Sequence, residues 1–572
     1  MRTDLNNQEF TNFLGVNLRQ ERTDIADNEV AKAVNADFNG FIGSMFLRYG
    51  RTKQFDSPLN DAVIRRIAKI NGYRYAVAGQ SLYRDQIRIV NGLASSNLNS
   101  TIIPFRPLAD STIWAFIADQ AGMLKDNGTA LRNWGIAAPV NPPILANSGT
   151  GLTGTYQFVY TYARMSGTAI AHESNSSPSA SITLANEQVD ISSLTASADP
   201  QVNKIRIYRT VASGVNFLHE HNVDNGTTTT TSDSLDSALG SEVDSLNDPP
   251  PNCSRAAEFQ ETVFLCGDEN NPHYLYFSKR WRPEAVTEFI ECGNADYALT
   301  ALVPVAGALG AFKRITKYRV TGNATTGYIP TEHASRRGTT SPDACVPTEF
   351  GIVFPAKDGI FATNLLSQDT QIADLILPLF YGETVNGMAP INWDQASKFA
   401  AISYKDRYYF SYASGTNTNP DKVAVYSNTT KKWYFYDHAI RSFFIEEDND
   451  RITGGSTDGF VYILENGSSD GGANISLDVQ TKDYFGALPN TRKLFMGYKV
   501  DAYVPSGTFT AKFYADGTLK RSVAITGDRT KLLLRLPEGC MGFQWRVAFT
   551  YSGTGRPAIY GVSALWLPIG SA

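Results

Sequence analysis

A hairpin that keeps returning along the chain limits its fold more than any other feature. Ile113-Trp114-Ala115-Phe116-Ile117-Ala118 turns through Asp119-Gln120-Ala121-Gly122 into Met123-Leu124. Gly351-Ile352-Val353-Phe354 turns at Lys357-Asp358-Gly359 into Ile360-Phe361-Ala362, and 399–404 turns at Lys405-Asp406 into 407–412. Ile452-Thr453-Gly454-Gly455 turns at Asp458-Gly459 into Phe460-Val461-Tyr462-Ile463, and 73–84 repeats the design with small residues at its tip. Asp-Gly suits such tips because Gly takes positive φ without Cβ strain. In the clearest unit, Val423-Ala424-Val425-Tyr426 meets Lys432-Trp433-Tyr434-Phe435-Tyr436 across Asn428-Thr429-Thr430. Four short antiparallel strands recurring at roughly 40 to 50 residues are the pattern of a β-propeller blade. One hairpin buries too little alone, so blades must pack face to face. The irregular intervals leave open a set of meanders in a sandwich. The expectation is an all-β chain built on a β-propeller.

Two further β regions interrupt or follow the repeat. Pro139, Pro142 and Pro143 open, and Pro249-Pro250-Pro251 close, a segment in which Gly154-Thr155-Tyr156-Gln157-Phe158-Val159-Tyr160-Thr161-Tyr162 alternates with period two. Lys204-Ile205-Arg206-Ile207-Tyr208-Arg209-Thr210 follows in the same style. This predicts an inserted immunoglobulin- or fibronectin-III-like sandwich over 139–251. After the linker Ser468-Ser469-Asp470-Gly471-Gly472, the stretches 495–504 and 509–514 are expected to bracket a turn. With Asp516-Gly517, 531–536 and 543–551 they predict a C-terminal β-sandwich over 473–572. The propeller is then divided into 60–138 and 252–467, and 1–59 is an arm packed on it. In that arm Asp24 or Asp27 is placed to cap a short helix holding Val30, Ala31 and Val34, ahead of strands at 35–38 and 47–53.

Composition narrows the classes of function. Aromatics make up 12% of the chain, with 28 Tyr, 31 Phe and 46 Gly against 6 His and 7 Met, a balance that favours half-buried strands and tight turns. Net charge is −5, yet Asn141–Pro250 alone carries −7, which leaves the remainder at about +2. A nearly neutral body offers no basic surface for gripping phosphates, although nucleic acid can slide past it. Five cysteines (Cys253, Cys266, Cys292, Cys345, Cys540) lack CxxC spacing and read as free thiols of a reducing cytoplasm. The opening 1–7 lacks the apolar core of a signal peptide, and no run of about 18 apolar residues suggests a transmembrane span.

Catalysis needs convergent groups, and the sequence offers only weak candidates. His219 and His221 would share a face on a strand and could hold a metal, but no third His or Cys lies near them. Carboxylate pairs for glycoside cleavage include Asp268 with Glu269, Glu446 with Glu447, and Asp358 with Asp458. Ser456-Thr457-Asp458-Gly459 approaches a sialidase Asp-box, but its Gly comes too early and the Trp is absent. Gly149, Gly151 and Gly154 do not lead from a strand into a helix, so they read as a linker rather than a phosphate loop. The run 433–436 is either a carbohydrate platform or blade core, with alternation favouring core. Arg65, Arg66, Lys69 and Arg74 are basic but lack interleaved aromatics. The expectation is a non-enzyme with no catalytic, cofactor-binding or metal residues.

Two stretches resemble the tail nozzle (tubular tail protein B-like) proteins of short-tailed phages. The first is Phe13-Leu14-Gly15-Val16-Asn17-Leu18-Arg19 leading through Asp27-Asn28-Glu29-Val30 to Asn35-Ala36-Asp37-Phe38 and Arg48-Tyr49-Gly50-Arg51. In that family such an opening runs from a Gly-x-Asn start through a helix to two strands. The second is 422–437 followed by 454–462, similar to the family's final blades. The resemblance leaves out the inserted sandwich. It implies a structural virion protein assembled as a hexameric ring below the portal and its adaptor, the head-to-tail connector. Such a ring is a channel and gate for genomic DNA, without sequence-specific binding. Tail fibres or spikes are candidate contacts of its outer surface. The alternatives are a receptor- or glycan-binding propeller of the tail tip and, third, a glycan-cleaving enzyme.

Overall fold

The computed structural model describes residues 5–38, 43–59, 62–95, 99–486 and 488–571, so Met1–Asp4 of the opening segment and Asn60 at the expected propeller start lie outside them. The chain is all-β: a β-propeller with an inserted sandwich and a C-terminal sandwich. Six four-stranded sheets are joined by a seventh run of four strands at one end of a 15-stranded sheet. Blade 1 is Ile64–Ile70, Tyr73–Ala78, Ser81–Arg84 and Ile87–Asn91; blade 2 is Thr101–Phe105, Trp114–Asp119, Gly122–Asp126 and Leu131–Asn133. Blade 3 is Arg255–Phe259, Thr262–Cys266, Tyr274–Phe277 and Glu288–Glu291; blade 4 is Leu299–Val305, Ala308–Lys313, Lys317–Asn323 and Gly327–Glu332. Blade 5 is Val346–Thr348, Gly351–Ala356, Gly359–Thr363 and Thr370–Gln371; blade 6 is Ala400–Tyr404, Arg407–Tyr412, Lys422–Ser427 and Trp433–Tyr436. Blade 7 takes three strands from Ile440–Glu446, Arg451–Ser456 and Val461–Leu464, and its fourth, Arg51–Lys53, from the arm.

The chain divides into two compact units. One is Met1–Ile67, Ala76–Gly79 and Arg337–Ala572; the other is Ala68–Tyr75 and Gln80–Arg336. Turn chemistry fixes the hairpins in both. At the Asp458-Gly459 tip Gly459 has φ +84°, while Asp458 accepts the Phe460 amide at 3.1 Å and the Tyr462 hydroxyl at 2.8 Å. Strands near a blade's middle are covered on both faces, and every residue of Trp114–Asp119 is buried. That explains why they read as continuous apolar runs rather than alternating ones.

In the second unit the inserted domain hangs on one long strand, Ile144–Ser166. Its first part, to Phe158, pairs with Ala180–Ser192, its end, Ala163–Ser166, pairs with Ala169–Glu173, and Phe158–Ala163 pairs with Lys204–Arg209. The two halves close over one core of Leu152, Tyr156, Phe158, Tyr160, Leu184, Val189, Ile205 and Ile207. Gly149, Gly151 and Gly154 do not form the expected linker. Gly149 and Gly151 sit inside the long strand where its register shifts between Ser148 and Leu152, Gly149 with φ +51°, and Gly154 is paired with Leu184 just beyond. Small residues allow the strand to kink and stay paired.

In the first unit the arm departs from its expected form. Glu29–Val34 is a strand, not a helix. Val30–Val34 runs antiparallel to Asp478–Thr481, Val34 bridges Phe435, and Val16 bridges Trp433. The arm thus lies between the last strand of blade 6 and the strand Ile475–Thr481 of the C-terminal domain, making one continuous sheet. Asn6–Thr11 adds a strand to Ala558–Ser571 at the far side of that domain. The stretches 495–504 and 509–514 are likewise one strand, Thr491–Ala515, rather than two around a turn. Its register shifts between Val504 and Phe509, and it pairs with Ala558–Ser571 before the shift and Trp545–Gly553 after it. Passing one strand through both layers lets the sandwich close with few connections.

Candidate functional site

The residues that could have carried chemistry are dispersed. His219 and His221 flank a bulge, and each has its own partner: His219 Nε2 lies 2.8 Å from Asn222 Oδ1, His221 Nε2 2.9 Å from Thr230 Oγ1. No group of three or more His, Cys, Asp or Glu among the described residues is disposed to hold a metal. Asp268 accepts the Tyr276 hydroxyl at 2.7 Å and the Asn270 amide at 3.0 Å, which hold its carboxyl below the usual range against the opposing effect of burial. Glu446 is paired with Arg451 at 2.7 Å and Asp358 with Arg337 at 2.8 Å, while Asp458 serves its own turn. Trp433, Tyr434, Phe435 and Tyr436 are all buried, so this run is core and not a platform. Arg65 is buried as well, and Arg66 is drawn 3.4 Å from Asp343, so these two form no exposed basic patch.

Three other constellations are assembled by the fold. The first is a buried polar seam beside the arm. Asn35, in the left-handed region at φ +59°, accepts the Asp437 amide at 2.8 Å and the Arg48 Nε at 2.7 Å through one oxygen. Arg48 forks onto Asp470 with bonds of 2.8 and 2.6 Å and donates to the Tyr49 carbonyl at 2.9 Å. Nearby, Arg407 joins Asp37 at 3.1 Å and Glu465 at 2.7 Å. Burial in this seam pushes the Tyr409, Tyr434 and Tyr436 phenols well up, and burial beside Arg48 and Arg51 keeps His438 neutral by lowering its pKa far below the ordinary value. Planar guanidinium forks fix geometry as well as charge, which suits a joint.

The second constellation braces the insert within the second unit. Lys125 of blade 2 donates to Glu284 at 3.0 Å with both side chains fully buried. Arg164 of the long strand reaches Asp110 at 2.9 Å and Glu284 at 3.5 Å. His172 lies buried beside this cluster, and burial, with Lys125, Arg164 and Arg282 in support and Glu284 opposing, lowers its pKa to about 3. Gly135 passes so close to Pro249 that a Cβ would stand 2.7 Å from that ring's backbone, so the two ends of the insert are pressed together.

The third is a groove of about 400 Å³ between blades 5 and 6. Three turns form its rim: Thr348 and Phe350 at the first turn of blade 5, Asn364, Ser367, Gln368 and Thr370 at its last, and Asn428 and Lys431 between the last two strands of blade 6. Val353, Ala362, Ile372, Tyr408 and Tyr426 make the floor. The Phe350 ring is 48% exposed, and the Lys431 ammonium stands 4.4 Å from its centre. Among the described residues that line the groove there is no Asp or Glu. Sequence reading missed it because its residues come from three separate turns; an exposed Phe in a hairpin tip is the one local signal.

No protein-family model matches the chain, and no curated protein matches it by sequence. Solved structures resemble it weakly. Saccharomyces cerevisiae Sqt1 is 8% identical over 73% of this chain and 98% of its own, with a TM-score of 0.32. Kluyvelomyces marxianus Hsv2 is 9% identical over 53% of this chain and 90% of its own, at 0.24. YCF48, solved bound to D1 peptide, is 9% identical over 65% and 98%, also at 0.24. At such scores the fold rests on the blades themselves.

Proposed function

We propose that the chain is a structural, non-enzymatic virion protein of the tail-nozzle kind, working through interfaces. The arm is the observation that carries this reading. The segment 13–38 that resembles nozzle proteins is the one the fold weaves between blade 6 and the C-terminal domain, and 51–53 completes blade 7. Of the carboxylates weighed for catalysis, Asp458 serves its own turn and Asp358 and Glu446 are held in ion pairs.

In this reading six copies close a ring through heterologous contacts, attached below the portal–adaptor complex. The near-neutral body lets genomic DNA pass, and the braced acidic insert faces outward to tail fibres or spikes. The protein is made in the host cytoplasm and ends in the phage tail. The test is the mass of the purified chain in solution, alone and mixed with the phage's adaptor–portal complex. A closed ring, formed alone or on the adaptor, is expected. A monomer indifferent to the adaptor would overturn the reading. The second reading, a glycan- or receptor-binding propeller of the tail tip, is favoured by the groove between blades 5 and 6.

A further inference from the structure

Nothing in the arm or in a ring explains the groove between blades 5 and 6, and its chemistry points to a ligand. We infer that it is a binding site for a carboxylate-bearing saccharide, such as the uronate end of an acidic oligosaccharide. The inference stands whether or not the chain forms a ring.

Lys431 is the first argument. Among the described residues of the lining it is the one that carries a charge. Its turn also holds it in the left-handed region, as the preceding hairpin of the same blade holds Lys405. The turn is closed by bonds from the Lys431 amide to the Ser427 carbonyl at 2.9 Å and from the Ser427 amide to the Lys432 carbonyl at 3.1 Å. Lys431 there has φ +56°, where Gly or Asn is the unstrained choice. The turn delivers one ammonium to the groove mouth, over the Phe350 ring.

The remaining lining fits a sugar better than a peptide. Asn364, Gln368 and Asn428 bring amides, which donate and accept together as vicinal hydroxyls require. The Asn364 oxygen is occupied by the Leu366 and Ser367 amides, each at 2.9 Å, which turns its NH₂ group into the available donor. Phe350 supplies an exposed flat apolar face for the C–H side of a pyranose ring, above the buried floor residue Tyr426. The volume lies within the range of small-ligand clefts. A peptide adding as a strand would need a free edge, but Thr370–Gln371 is two residues long, and the next carbonyl, that of Ile372, is held by the Trp433 indole at 2.8 Å.

The test is titration calorimetry with saturation-transfer NMR on the full chain. The probes are a glucuronate-containing tetrasaccharide, its carboxyl-reduced neutral counterpart and an acidic tetrapeptide. The acidic sugar is expected to bind best, and Phe350→Ala to weaken both sugars. Lys431→Gly is the deciding variant. It is expected to weaken the acidic sugar about tenfold or more, and the acidic sugar more than the neutral one, so that the preference between them is lost. Because Gly relaxes the positive φ, the melting temperature should hold or rise, which separates lost binding from lost folding. Three results would each overturn the inference: no transfer to either sugar at millimolar concentration, equal affinity for the two sugars, or preference for the peptide.

Discussion

Replacing Arg48 with Met asks how strongly the arm is held. Arg48 is 1% exposed, and its Asp470 partner's side chain is 15% exposed. The guanidinium makes two bonds to that carboxylate at 2.8 and 2.6 Å, and others to Asn35 and the Tyr49 carbonyl. Met keeps much of the apolar stem but leaves a mostly buried carboxylate without its cation. Removing one member of a buried pair costs about 3–5 kcal/mol, most of it the penalty for the charge left behind. The loss is local, so a global melt is the wrong assay for a chain of several domains. Native-state hydrogen exchange of Glu29–Val34, paired to Ile475–Thr481, reads it directly. Protection there should fall by about two to four orders of magnitude, while Lys204–Arg209 in the insert stays unchanged. Adding Asp470→Asn removes the orphaned charge and should restore part of the protection. Unchanged exchange in the arm, or a double variant worse than the sum of the singles, would refute the reasoning.

Other consequences are open to quick tests. His172, with its pKa lowered to about 3, binds no proton when folded at mild acid, whereas the unfolded chain takes one up near pH 6.5. Its stabilising contribution is therefore complete above about pH 6.5 and lost downward toward pH 3, at about 1 kcal/mol per pH unit. Urea midpoints of the insert should follow that slope, and an equally steep acid limb in His172→Gln would sink the assignment. Gly455→Ala would put a Cβ 2.6 Å from Ile64 Cγ2 and 2.5 Å from Ser442 Oγ, so a loss of about 1–3 kcal/mol is expected in denaturant titration; a neutral result would mean the two strands can part freely. All five cysteines are buried, and burial pushes the Cys266 and Cys292 thiols up to about 12. Iodoacetamide at pH 8 should leave these two untouched in the native chain and label them in guanidinium, so rapid native labelling would contradict their burial.

Local chemistry made the blades legible. Turns such as Lys357-Asp358-Gly359 and Asp458-Gly459 set hairpin register by themselves, and flanking apolar runs such as 114–119 name strands covered on both faces. The Pro-bounded acidic insert and the core role of Trp433 were readable for the same reason, since composition and alternation act within a few residues. Blades 3 and 4 were less distinct, because their tips, Gln260-Glu261 and Gly307, lack an Asp-Gly signature.

Long-range pairing decided the rest. Val30, Ala31 and Val34, behind a carboxylate able to cap, carry helical spacing, and an isolated peptide gives no ground for preferring a strand. What makes 29–34 extended is the edge of Ile475–Thr481, more than 440 residues away, and the bridge from Val34 to Phe435. Each pairing satisfies backbone groups that a helix would have satisfied internally, and the burial of Val30 and Ala33 then tips the balance. The same holds for the candidate site. A turn's sequence sets its own φ angles, but only the packing of blade 5 against blade 6 brings Phe350, Asn364 and Lys431 around one groove. Sequence determined the hairpins because their energetics are local; tertiary structure decided the arm and the groove because their partners are distant in the chain.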